Sequence, residues 1–123
     1  MSALEEEWAN YKYLVLSRSS KIYNEIRELL KKKSENIAIK FYTLIEQALA
    51  LSEDRGAEIN AAQHIWGYVN KDCCDHQKNR FQKLLKDYDD EGKNLKALKN
   101  HLLKLSIAQD IGYLKKSYYF YID

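Results

Sequence analysis

An amide, an imidazole, a phenol and an amine recur at roughly one-turn intervals in a single stretch of this chain. At about 100° of rotation per residue, Asn60, His64, Gly67, Tyr68 and Lys71 share one face of a helix, while Ala62, Ile65, Trp66 and Val69 share the other. Such a row offers a ligand hydrogen-bond donors and acceptors, a titratable ring and an aromatic face. Gly67 stands in its middle. A glycine inside a helix costs about 1 kcal/mol relative to alanine, and the favoured explanation is packing: the missing side chain admits a neighbouring helix.

A histidine and a tyrosine one turn apart can exchange protons with a bound molecule, so His64 or His101 is a candidate general acid or base. No carboxylate shares the row to orient the imidazole, and the sequence holds no complete catalytic constellation. Farther along, Lys93, Lys96, Asn100 and Lys104 oppose a leucine stripe, with His101 at its boundary. That face becomes a phosphate surface only if it adjoins Arg18, Lys71 or the Lys115–Lys116 pair in space. Tyr118, Tyr119, Phe120 and Tyr121 form an aromatic run that either stacks on bases or docks on the core.

Metal and cofactor chemistry is not expected. His64, Cys73, Cys74, His76 and His101 lack the paired spacing of a structural zinc site, and no cysteine cluster exists to hold iron and sulfur. The adjacent Cys73 and Cys74 read as reduced thiols. A phosphate-cradling glycine loop, a dinucleotide fingerprint and a nucleophile elbow are all missing.

The elements that must position these groups are helices. With 123 residues the chain has the size of one domain, spanning 1–123, and no proline and only four glycines leave too few turn-formers for a protein of many short strands. Hydrophobic residues at 46% and charged residues at 31% suit a globular protein. Lys and Arg number 20 against 18 Asp and Glu, a formal charge of +2, so any nucleic-acid footprint must be local. Acidic residues precede the first apolar stretch, which Asn10 and Lys12 interrupt; this reads as neither signal peptide nor membrane anchor, and a cytoplasmic protein is expected.

Apolar spacing predicts six to seven helices packed in one compact all-α bundle. Leu4, Trp8, Tyr11 and Val15 mark the first, and Ile22, Ile26, Leu29 and Leu30 the second, closing in Lys31-Lys32-Lys33. Ser34 is expected to start the third, with Ile37, Phe41, Leu44, Ile45 and Ala48 at helical spacing, and the clearest loop is Ser52–Gly56. The fourth runs from about Ala57 to Lys71. Asp75 is the expected cap of the fifth, with Phe81, Leu84, Leu85 and Tyr88 inward. Leu95, Leu98, Leu102 and Leu105 mark the sixth, and a short seventh leads from Gln109 or Asp110 into the tyrosines.

Four segments, YKYLVLSRSSKIY, NAAQHIWGYVNK, LKNHLLK and YLKKSYYF, resemble in order and separation the YbgA-like family of bacterial helical domains of unknown function. The most specific is Asn-x-x-x-His-x-x-Gly-Tyr, on Asn60, His64, Gly67 and Tyr68; Tyr11 and Lys12, Tyr23, His101, and Tyr119 with Phe120 match further positions. Two histidines usual in the family are replaced by Trp8 and Arg18. The resemblance implies an all-helical domain found alone or fused behind an iron–sulfur module similar to 2-thiouracil desulfidases, in some genomes beside photolyases. Any desulfuration would need that cysteine-rich partner protein.

The resulting expectation is an accessory module that binds a nucleobase or RNA through Asn60, His64 and Tyr68, walled by Tyr11, with Lys12, Arg18 and Lys71 supplying positive charge and Gly67 and His101 completing the candidate set. The alternatives are a small acid–base enzyme using His64 or His101, and a protein–protein interaction domain or homo-oligomer.

Overall fold

The first helix, α1 (Ala3–Leu16), opens on a serine: Ser2 Oγ accepts from the Glu5 amide at 3.2 Å, and Glu5 and Glu6 sit where the helix dipole favours negative charge. Its last turn buries Tyr13, Leu14, Val15 and Leu16 together. A turn apolar all round must be enclosed, and α1 packs against the second, third and fourth helices and the C-terminal turn. The computed structural model describes residues 2–32 and 34–122. Lys33, the last lysine expected to close the second helix, lies outside them.

Six more helices follow among the described residues: α2 (Ser20–Lys31), α3 (Ile37–Leu49), α4 (Arg55–Val69), α5 (Asp75–Glu91), α6 (Leu95–Ala108) and the one-turn α7 (Gly112–Lys115), with 3-10 turns at Asn70–Asp72 and Tyr118–Phe120. Side chains cap three of these starts as the residue types allow. Ser19 Oγ accepts from Ile22 N at 3.1 Å, Asp54 Oδ1 from Ala57 N at 2.9 Å, and Ser117 Oγ from Tyr119 N at 3.3 Å. Several boundaries differ from expectation, among them the end of α4 at Val69 rather than Lys71 and the start of α7 at Gly112 rather than Gln109 or Asp110. Helix α3 begins at Ile37 rather than Ser34, after Asn36 in a left-handed conformation at φ 59°. Helix α4 begins two residues early because Asp54 is its cap. Asp75 is the first residue of α5 rather than its cap, and Gln77 Oε1 instead accepts from the Cys74 amide at 2.9 Å.

Two apolar clusters form on either side of α1. Val15 joins Ile26, Phe41, Ile45 and Ala48 in the smaller. Tyr13, Leu14 and Leu16 join residues of α4, α5, α6 and α7, with Tyr119, in the larger. Trp66 lies flat on Phe81, centroids 4.2 Å apart at 7°, which ties α4 to α5. Tyr119 is fully buried and Tyr118 packs edge-on against Tyr11 at 4.6 Å. The aromatic run therefore docks on the core, leaving Tyr121 exposed.

Candidate functional site

Helix α4 divides as its sequence requires. Ala61, Ala62, Ile65 and Val69 are fully buried, and on the other side His64, Gly67 and Tyr68 are exposed. Asn60, Gln63, His64, Gly67 and Tyr68 line one open depression of about 490 Å³. His64 Nδ1 lies 2.8 Å from the Asn60 carbonyl. A carbonyl only accepts, so Nδ1–H donates, and in the neutral ring Nε2 is the lone-pair acceptor. Gly67 departs from its expected role: a Cβ there would meet nothing within 4 Å, so no helix packs against it, and its bareness keeps the depression flat.

Tyr68 is set in an aromatic bracket. Its ring meets Tyr13 at 6.4 Å and Tyr113 at 5.5 Å, both edge-on, and Lys12 Nζ lies 5.2 Å and 5.7 Å from the centroids of those same two rings. Hydrogen bonding with the buried Tyr13 hydroxyl holds the Tyr68 phenol below its ordinary value, with the Lys12 ammonium acting in the same direction and desolvation opposing both. Tyr113 moves the other way, pushed up to about 12 by burial and by Tyr68.

Asn60 also lines a second depression of about 740 Å³, together with Arg18, Ser19, Lys21 and Asp54. The α4 row thus continues into the loop between α1 and α2, where Arg18 Nη1 donates to the Leu51 carbonyl at 2.8 Å. Of the expected residues, the fold gathers Asn60, His64, Gly67 and Tyr68, brings Lys12 behind Tyr68, and joins Arg18 through Asn60. Three stand apart. Tyr11 packs on Tyr118 and walls no part of the α4 depression. Lys71 falls in the 3-10 turn beyond α4, whose tighter winding takes it out of the helical register. His101 is 9% exposed in the α5–α6 interface, where Nε2–H donates to the Gln77 carbonyl at 3.0 Å, and burial holds its imidazole below the ordinary value.

Sequence reasoning missed a second polar group behind Arg18. Glu58, only 4% exposed, has Lys99 Nζ 3.7 Å from its Oε2. Burial pushes its carboxyl above the usual range, against the pull of Lys99. Tyr88 donates to Glu53 Oε2 at 2.8 Å, and burial together with that carboxylate raises the phenol. One signal was in the sequence: Glu58 shares the apolar face of Ala61, Ala62, Ile65 and Val69, where an acid is out of place.

A family model described as "Protein of unknown function (DUF1722)" matches residues 12–122. The chain belongs to the DUF1722 family. That match covers the Lys12–Tyr13 pair, all of α4, and the C-terminal turn, so every candidate residue described above except Tyr11 lies in the DUF1722 segment. Comparison with curated proteins and with solved structures gave no match. No helix among the described residues is long and apolar enough to cross a membrane.

Proposed function

We propose that this DUF1722 chain is a YbgA-like accessory module of the cytoplasm that holds a nucleobase or a nucleic-acid strand for a partner enzyme. The observation that carries the proposal is the exposed α4 row: four expected contact residues line one open depression, and Asn60 extends it to Arg18 and Lys21. A shallow track with an aromatic face at one end and, at the other, Arg18 and Lys21 set among Glu53 and Asp54 suits a base stacked on Tyr68 with a phosphate reaching one of the cations. Neither end needs to move. Retention of single-stranded RNA and of free nucleosides at low and raised salt tests this, and the absence of binding in both conditions removes it. Two or three phosphate contacts imply a log–log salt slope of about −1.4 to −2.1, at roughly −0.7 per phosphate on a single strand.

A second reading, acid–base catalysis, is supported by the free Nε2 of His64 one turn from a phenol held low by Tyr13 and Lys12. His101 is disfavoured for it, since its imidazole is buried in the α5–α6 interface while that of His64 is exposed. Mass spectrometry of nucleosides after prolonged incubation separates the two readings: an altered mass that disappears in H64A favours catalysis, and unchanged nucleosides favour binding alone.

A further inference from the structure

Lys31 and Lys32 stand at the end of α2, about 100° of helical rotation apart, and packing sends them to different sides. Lys32 lines the groove that α2 makes with α3, while Lys31 lines an open depression of about 340 Å³ on the α1 side. Lys12 and Arg27 line that depression too, with Trp8, and its single carboxylate is Glu5. Three cations therefore meet one acid. Around Arg18 and Lys21, by contrast, Glu53 and Asp54 balance the charge. A concave wall with an excess of cations raises the local concentration of anions.

The groups that line it are within reach of solvent. Arg27 and Lys31 are exposed, and Lys12 and Trp8 are half-buried. The Arg27 guanidinium carbon stands 5.8 Å from the Tyr23 ring centroid and, among the described residues, the side chain makes no hydrogen bond or ion pair, which leaves its N–H donors for a ligand. Lys31 Nζ lies 3.1 Å from Glu28 Oε1, but the two side chains are 62% and 63% exposed. A surface pair of that kind contributes little and gives way to a phosphate. Trp8 is steadied by its neighbours, 5.4 Å from Tyr23 and edge-on to Phe41 at 6.4 Å. It thus presents a fixed aromatic surface beside cations, the combination that holds single strands without regard to sequence.

Lys12 follows Trp8 by one turn of α1, about 6 Å along the axis. It belongs to two places at once: it lines this depression, and its Nζ lies 5.2 Å and 5.7 Å from the Tyr13 and Tyr113 rings that bracket Tyr68. We propose that the α1–α2 depression is a second station for single-stranded RNA, where a phosphate sits between Arg27 and Lys31 and a base packs on Trp8. Lys12 joins this station to Tyr68, so that one strand crosses α1 from the α4 row to α2. The continuity with α4 rests on the strand-binding reading; anion binding in the depression does not.

The test titrates the full chain with hexauridylate, followed by NMR and by retention across a salt series. The expected result is a shift of the Trp8 indole N–H and of the Arg27 and Lys31 amides together with that of Tyr68. R27Q/K31Q weakens binding about fivefold or more and makes the log–log salt slope shallower by about 0.7–1.4, the share of one or two phosphates. K96Q/K104Q, which removes the same charge from exposed positions of α6, leaves both nearly unchanged. Equal losses in the two double variants show an effect of bulk charge and overturn the proposal. Natural affinity in R27Q/K31Q overturns it as well, and the α4 row then stands alone if Y68A still weakens retention. Loss in R27Q/K31Q with none in H64A or Y68A keeps the station and removes the α4 reading, whereas no retention of hexauridylate at any salt removes both. Sedimentation with phosphatidylserine vesicles that depends on Arg27 and Lys31, without hexauridylate binding, overturns RNA as the occupant.

Discussion

Tyr68 is half exposed, at 50%, yet its ring is held from behind by Tyr13 and Tyr113. An aromatic face fixed in this way loses little side-chain entropy when a base stacks on it. Y68A is expected to weaken RNA binding by about 1–3 kcal/mol, the usual value of a base-stacking contact, while thermal unfolding moves little because the exposed ring contributes modestly to the core. Y68F keeps most of the binding. Filter retention and calorimetry on the same samples check both halves. The phenol also reports its neighbours: K12M removes a nearby cation, so the Tyr68 titration followed by NMR moves upward in that variant. No movement would show that Lys12 does not face the ring in solution.

At the scale of one helix, α4 carries the proposed binding row on its outer face and an unsatisfied acid at the edge of its inner one, and neither serves stability. Gly67 meets open space, so G67A gains helix propensity without a clash and raises stability by up to about 1 kcal/mol. The added methyl roughens the floor of the depression, and RNA affinity falls. A variant that melts later and binds worse is the expected outcome of paired melting and retention measurements. Glu58 behaves analogously. Its folded pKa is raised above the ordinary value, so its contribution is fully present below about pH 4.3 and is lost as pH rises through the folded value. Above the ordinary carboxyl range the group is therefore a burden, and E58Q melts higher than the natural chain at pH 7.5. The difference closes near pH 4. By contrast, Gly92 has φ 68°, and a Cβ there would come within 2.5 Å of Arg55 Nη2, so G92A is destabilising.

Across the whole molecule the buried titratable groups bound the pH range of stability from both sides. His101 is held below its ordinary value by burial, so its contribution is present above about pH 6.5 and is lost as pH falls through the folded value. Tyr13, Tyr88 and Tyr119 are all raised, chiefly by burial. Their contribution is complete below about pH 10 and is lost as pH rises toward the folded values, with Tyr68 as the exception that ionises early. Melting temperature of E58Q, which lacks the opposing Glu58 titration, should fall at both ends between pH 5.5 and 11, and adding H101Q should flatten the acid limb. Because Tyr13 and Tyr119 lie in the core cluster that also contains α4, alkaline loss of stability and loss of RNA binding should coincide.

Apolar periodicity determined the helices and which side of α4 turns inward, since a 3.6-residue repeat admits only one buried stripe. Asn60, His64 and Tyr68 were legible as an outer row for that reason. What periodicity does not contain is distance between helices. Only the packing of α1 beneath α4 and the C-terminal turn could bring Lys12, Tyr13 and Tyr113 around Tyr68, send Tyr11 and His101 to other interfaces, and close Glu58, Arg18 and Lys99 around one cavity. Side chains far apart along the chain meet because burying apolar area brings their helices together, and polar neighbours are then decided by the crossing of those helices rather than by spacing along any one of them.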